Sequence, residues 1–233
     1  MVRSYSLCSE LGDAAISALG SIALDADYEK GAVIFDQNDP FEKTFVVTNG
    51  FIRLSRLLAN GKRQITGFIG PGDILGGLRQ QSTSHCTAEA ISDVQACAFR
   101  RGDLLRVLHD HPDLCIRLLF AATDEIEAQY EQITLLGRKM AGQRLAAFLL
   151  TMQRRWRRDE HPESALPLPM GRVDIADYLG LTVESVSRAF HEIKDKGYIR
   201  LPKPSVVELR NLPGLYQLAE MEDMPAPRVS MGL

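Results

Sequence analysis

The sequence predicts an α+β protein: an N-terminal double-stranded β-helix (jelly-roll) domain, a long helix, and a C-terminal winged helix-turn-helix domain. Three observations carry that expectation. Short alternating runs punctuated by glycine fill residues 20–100. Apolar residues then recur at steps of four and three from Cys115 to Leu136. Beyond them, two short amphipathic stretches meet at Gly180-Leu181-Thr182.

The chain has 233 residues and is 45% hydrophobic, enough for two modest domains with packed cores. No apolar run approaches the ~20 residues of a membrane span. "MVRSYSLCSELGDAAISALG" reads as the start of a short amphipathic helix and not as a signal peptide. Cys8, Cys86, Cys97 and Cys115 are scattered, which fits a reducing cytoplasm better than a disulfide framework. The net charge of −3 hides an asymmetry. Residues 138–212 carry 14 Lys/Arg against 9 Asp/Glu, whereas residues 1–137 carry 12 against 18. A basic segment gains from counterion release beside a polyanion; a solvated basic face is the alternative.

In the β-rich part, "FIRLSRLLANGKRQITGFI" places two alternating runs around Asn60-Gly61, a strong hairpin signal. Glycines at 31, 50, 61, 67, 70, 72 and 76 fall where turns between strands are expected. Pro112 opens the long helix, because its missing N–H costs nothing in the first turn. Cys115, Leu119, Ala122, Ile126, Gln129, Ile133 and Leu136 form a heptad seam that keeps one stripe toward a partner, so a homodimer is expected. Leu118 and Tyr130 lie off the seam and are expected on the chain's own β domain. In "RKMAGQRLAAFLLTMQRRWRR", Leu145, Phe148, Leu149 and Met152 make one apolar helix face. Arg154, Arg155, Arg157 and Arg158 follow near its end, where cations suit the helix dipole. "DEHPESALPLPM" reads as a loop and "MEDMPAPRVSMGL" as a frayed end. The expected domains are a β-roll over 1–110, a dimerisation helix over 111–138, the winged helix-turn-helix over 139–212 and a tail over 213–233.

"DIADYLGLTVESVSRAFHEIKDKGYI" carries the functional motif. Ile175, Ala176 and Leu179 face inward, Gly180 ends the first helix in the αL conformation, and Leu181 plugs the turn. Thr182 caps the second helix. Val186, Ala189, Phe190 and Ile193 share one face of it; Glu184, Ser187, Arg188 and His191 share the opposite one. Lys196-Gly197 stops it. Such a second helix enters the major groove of double-stranded DNA N-terminus first. Arg188 can donate two bonds to guanine, Glu184 can accept from cytosine, and Ser187 can reach a base edge. Thr182, Ser185, His191 and Lys203 are the candidates for backbone contact. "YIRLPKPSVVELR" reads as two strands around Pro202-Lys203-Pro204, a wing beside that helix.

Together these segments resemble the CRP/FNR family of transcription regulators. The resemblance covers nearly the whole chain: the β-roll, the helix after "HPDL", "QRLAAFLL", and "DIADYLGLTVESVSRAF", which is most similar to the FNR and FixK branch. It implies a cyclic-nucleotide-binding-like β domain, a homodimer, recruitment of RNA polymerase, and no enzymatic activity. It also implies that Glu184, Ser187 and Arg188 read an inverted repeat resembling TTGAT-N4-ATCAA, at low-oxygen, nitrogen-fixation or denitrification genes. Departures from the family concern the signal. In "PGDILGGLRQQSTSHCTAEA", Gly77 stands at the place of a ligand-binding Glu, and His85-Cys86 near that of an Arg-Ser pair, so a cyclic phosphate loses its guanidinium clamp. The close N-terminal cysteine triplet of iron–sulfur members is absent; Cys8 stands alone and Cys97 resembles the fourth ligand. No metal or cofactor is therefore expected. Two other readings compete: the same DNA-binding head under a haem or small-molecule ligand, with His85 as candidate, and a cupin-like metal enzyme using "HDH" at 109–111. Against the enzyme reading, the tripeptide falls at a helix start and not inside a barrel strand, where Asp110 or His111 helps start the long helix.

Overall fold

The computed structural model describes residues 11–40, 42–78, 83–138, 140–156 and 165–221. On the long helix the side chains at 124, 127, 128, 131, 135, 136 and 138 fall outside that description. The chain divides into two units, Met1–Gln132 and Ile133–Leu233.

In the first unit, α1 (Asp13–Ile22) precedes eight strands: β1 (Leu24–Tyr28), β2 (Val33–Phe35), β3 (Lys43–Asn49), β4 (Ile52–Leu57), β5 (Arg63–Ile69), β6 (Ile74–Leu75), β7 (Thr87–Ala90) and β8 (Val94–Arg100). They form two antiparallel four-stranded sheets, ordered β1-β8-β3-β6 and β2-β7-β4-β5. Side-chain alternation assigns the layers. Phe45, Val47, Ala96 and Ala98 of the first sheet meet Ile52, Ile69, Ala88 and Ala90 of the second. Val46 and Phe99 point the other way, onto Ala15 and Leu19 of α1.

The β4–β5 hairpin forms as expected, but through a loop of five residues. Gly61 donates to Leu58 O at 2.9 Å and Leu58 to Lys62 O at 2.9 Å. Only Gly61 takes positive φ, at 76°, while Asn60 Oδ1 accepts from the Lys62 amide at 3.0 Å. Gly67 is not at a turn: it lies inside β5, opposite the irregularity between Leu54 and Ser55.

After β8 comes α2 (Arg101–Asp110), a helix the sequence reading missed. Its ten residues bury only Leu104 and Leu108, too short an apolar stripe to separate from the strand before it. The following α3 (Pro112–Arg138) starts at Pro112 as expected. His109 and Asp110 therefore close α2 and do not open α3. His111 is the joint: its amide donates to Val107 O at 2.9 Å, and its carbonyl accepts from Leu114 at 3.1 Å.

The second unit contains α4 (Ala141–Trp156), β9 (Ala165–Pro167), α5 (Arg172–Leu179), α6 (Val183–Asp195), β10 (Ile199–Lys203), β11 (Val206–Leu209) and α7 (Leu212–Ala219). Helix α4 is its centre. The expected face is buried, and so are Ala146, Ala147 and Leu150, because α6 and α7 both pack on α4. Arg157 and Arg158 lie outside the described residues. Ala165–Pro167, read as loop, pairs with β11 to make a three-stranded wing, β10-β11-β9. The segment expected as tail from 213 instead begins as α7, capped by Asn211 Oδ1 on the Gly214 amide at 2.9 Å and holding Leu215 and Ala219 in the core.

Candidate nucleic-acid interface

Helix α5 begins after Gly171, whose amide is taken by Asp174 Oδ2 at 3.4 Å. Ile175, Ala176 and Leu179 are buried as the motif requires. Gly180 then adopts φ 61°, and the Leu181 amide reaches back to Ala176 O at 3.0 Å. The exposed end of α5 is sealed by Arg144 of α4, which donates to Leu179 O at 2.9 Å. Phe148 and Tyr178, with centroids 5.6 Å apart, join the same two helices.

Thr182 is extended, at φ −81° and ψ 155°, and its hydroxyl accepts from the Ser185 amide at 3.2 Å. Val186, Ala189, Phe190 and Ile193 are buried. The opposite face carries Glu184, Arg188 and His191 exposed to solvent, with Ser187 half-buried. Glu184 ionises below its ordinary range, first through its own backbone amide, then the Thr182 hydroxyl, with the Arg188 charge contributing. Ser185 is half-buried, its hydroxyl 3.1 Å from that of Thr182, and it accepts from Arg188 Nη2 at 3.4 Å. Lys203 is exposed at the end of β10, after the irregularity between Arg200 and Lys203. Below it Glu208 Oε2 accepts from Arg210 at 2.6 Å and Arg200 at 3.4 Å, tying the wing together.

One feature of this surface went unread in the sequence. Arg172, the first residue of α5, lays its Cζ 3.2 Å from the centroid of the Phe190 ring. Burial pulls its pKa below the ordinary arginine value. With Ser187, His191, Lys194 and Leu201 these two side chains line a notch of about 190 Å³. The available signal was a cation at a helix N-terminus, the end where the dipole disfavours one.

On α3, Cys115, Leu119, Ala122, Ile126, Gln129 and Ile133 are all exposed; Leu136 has its side chain outside the description. Leu119, Ile126 and Ile133 are 64%, 55% and 67% exposed, a stripe costly to leave in water. Leu118 packs on the β domain as expected. Tyr130 does not: it is 66% exposed. Burial raises the thiols of Cys86 and Cys97, the opposite of activation. Cys8 lies outside the described residues. Among the described residues no cluster of His, Cys, Asp and Glu suits a metal, and His85 is an exposed side chain. No described helix is long and apolar enough to cross a membrane.

Two family models match: the cyclic nucleotide-binding domain over residues 26–111 and the Crp-like helix-turn-helix domain over 143–218. The chain is 37% identical over 193 residues to the transcriptional activatory protein AadR of Rhodopseudomonas palustris, covering 83% of this chain and 80% of that one. It is 34% identical over 200 residues to the nitrogen fixation regulation protein FixK of Bradyrhizobium diazoefficiens, covering 86% and 84%. The chain belongs to the CRP/FNR family. Its fold matches the structure of FixK2 from Bradyrhizobium japonicum with a TM-score of 0.76 and 33% identity, over 88% of this chain and 100% of that one. As a CRP/FNR protein of the FixK-like kind it is a DNA-binding transcription regulator and not an enzyme.

The first family model raises the question of a cyclic nucleotide, and the described residues do not fit one. The layer between the sheets is filled by apolar side chains. Arg53 lies on the opposite face of β4 from Ile52 and Leu54, paired with Glu89 at 2.6 Å. Gly77 brings no carboxylate, and the buried Ser84 hydroxyl is already engaged with the Cys86 amide at 3.2 Å.

Proposed function

We propose that the protein is a homodimeric, sequence-specific activator that lays α6 of each copy in successive major grooves of an inverted repeat resembling TTGAT-N4-ATCAA. The observation that carries this reading is the outward face of α6. It holds an acid, a hydroxyl and a guanidinium within two helical turns, on a helix whose other face is locked in a core. Glu184, Ser187 and Arg188 read base edges. Thr182, Ser185, His191 and Lys203 meet the backbone. The exposed stripe on α3 pairs two copies, which sets the half-sites about one helical turn of DNA apart. The reading extends to activation through RNA polymerase in the cytoplasm and to control of nitrogen-fixation or low-oxygen genes; the family resemblance supports it, as do the names of two relatives, a transcriptional activatory protein and a nitrogen fixation regulation protein.

Selection of bound duplexes from a random pool, using metal-free and ligand-free protein, tests the reading at once. The expected result is a two-fold symmetric consensus with TTGAT-like halves. Enrichment of single half-sites, or no enrichment until a ligand is added, would count against it.

A further inference from the structure

We propose that Asn60, at the tip of the β4–β5 hairpin, is a site of spontaneous modification: the Gly61 amide nitrogen closes on the Asn60 side chain, ammonia leaves, and water opens the ring to an aspartyl or isoaspartyl residue. The chain contains two Asn-Gly pairs, Asn49-Gly50 and Asn60-Gly61. The fold opens the second to this chemistry and closes the first.

The step needs only water and no oxidant. The Gly61 N–H gives its proton to hydroxide, and the nitrogen bonds to Asn60 Cγ. The Cγ–Nδ2 bond breaks, and Nδ2 leaves as ammonia with a proton from water. Water then adds to the imide. Opening at Cγ gives aspartate; opening at the Asn60 main-chain carbonyl routes the chain through Cγ and lengthens it by one methylene.

The surroundings of Asn60 suit each part. Residues 56–63 are exposed. The Lys62 amide donates to Asn60 Oδ1 at 3.0 Å, the oxygen on which the tetrahedral intermediate carries its negative charge. Among the described residues Nδ2, the leaving group, makes no hydrogen bond. A Cβ on Gly61 meets nothing within 4 Å, so the ring has room to form. The Gly61 amide must first give up Leu58 O at 2.9 Å, a bond at a solvent-exposed tip where local opening is easy. Asn49-Gly50 is held differently. Asn49 ends β3 in register with Gln95 of β8. Gly50 is buried so closely that a Cβ would run into Asp93 O. The next amide, of Phe51, donates to Ser92 Oγ at 2.9 Å. Turning the Gly50 nitrogen onto the Asn49 side chain therefore requires β8 to part from it. The product at position 60 adds a carboxylate to a stretch with the exposed cations Arg56, Lys62 and Arg63, and one more negative charge to a chain of net −3.

The test incubates the full-length protein, folded and in urea, at mildly acidic and mildly alkaline pH, then digests it with trypsin and weighs two peptides. Leu57–Lys62 carries Asn60 and Thr44–Arg53 carries Asn49. In the folded protein the first is expected to exchange ammonia for water at least about tenfold faster than the second, the ratio that about 1.4 kcal/mol of extra opening cost gives. In urea, with both turns open, the two peptides convert at comparable rates. Conversion is faster at alkaline pH, because the glycine amide must lose its proton. The product separates into two species of equal mass, of which the isoaspartyl one accepts a methyl group from S-adenosylmethionine through an isoaspartyl methyltransferase. The intact protein gains an acidic form on ion exchange, and Asn60→Gln, which cannot close a five-membered ring, loses that form. The proposal is overturned if Leu57–Lys62 keeps its mass in the folded protein over the time in which urea converts it. Equal conversion of both peptides in the folded protein overturns it as well, since the fold then makes no distinction between the two turns. So does an acidic form that persists in Asn60→Gln, which would place the reaction elsewhere.

Discussion

Among the described residues Arg188 makes one weak hydrogen bond, to Ser185 Oγ at 3.4 Å, beside the charge of Glu184, and its side chain is exposed. It is thus free to exchange that contact for a guanine edge at small cost. Arg188→Ala is expected to lose about 1–3 kcal/mol on the operator and far less on unrelated DNA. Equal binding of variant and parent to the operator in a titration would remove Arg188 from the reading set. Glu184 makes a pH prediction. Its pKa is depressed from 4.5, so the carboxylate is fully formed above that value and is lost only as pH falls through the lower, folded-state value. Base preference is therefore expected to stay level from about pH 8 to pH 5. Thr182→Val removes one of the causes and should move the Glu184 midpoint upward in a carboxyl NMR titration; an unmoved midpoint would contradict the assignment.

At the scale of elements, turns and caps were the most legible features, because they depend on a few adjacent residues. Gly180, Thr182 and Lys196-Gly197 were all placed by local chemistry, and each sits where expected. The glycines show where local chemistry stops. Gly50 and Gly61 both have positive φ, at 83° and 76°. A Cβ on Gly61 meets nothing within 4 Å, whereas one on Gly50 lies 2.0 Å from Asp93 O. Gly61→Ala is therefore expected to cost about 1 kcal/mol from backbone strain alone. Gly50→Ala should cost at least about 2 kcal/mol more, since strand β8 must shift. Urea midpoints of the two variants check the difference; equal midpoints would mean that the approach of Gly50 to Asp93 relaxes freely. The missed elements, α2, β9 and α7, are short. Three residues of β9 become a strand only because β11 offers a partner, which no local pattern announces.

For the whole molecule, the exposed apolar stripe on α3 and the basic balance of residues 138–212 are the two features on which the proposed dimer on DNA rests. Ile126, 55% exposed, stands in the stripe. Ile126→Glu buries like charges face to face in a pair and is expected to give monomers by sedimentation. Its affinity for the inverted repeat should fall to that for a half-site. A variant that remained dimeric would move the interface elsewhere. Gln129 is the polar member of the stripe, and its amide donates to Glu125 at 2.8 Å.

From the sequence alone came the architecture, the family resemblance, and the outward face of α6 that carries Glu184, Ser187 and Arg188, because strand and helix periods, caps and the polarity of one helix face are properties of neighbouring residues. Only the tertiary structure placed Arg172. It lies against the ring of Phe190, eighteen positions away on another helix, and shares a notch with Leu201 of the wing. Burial of α4 on all sides and the third strand of the wing have the same cause. Each is created by contacts between elements, and such contacts leave no period in the chain.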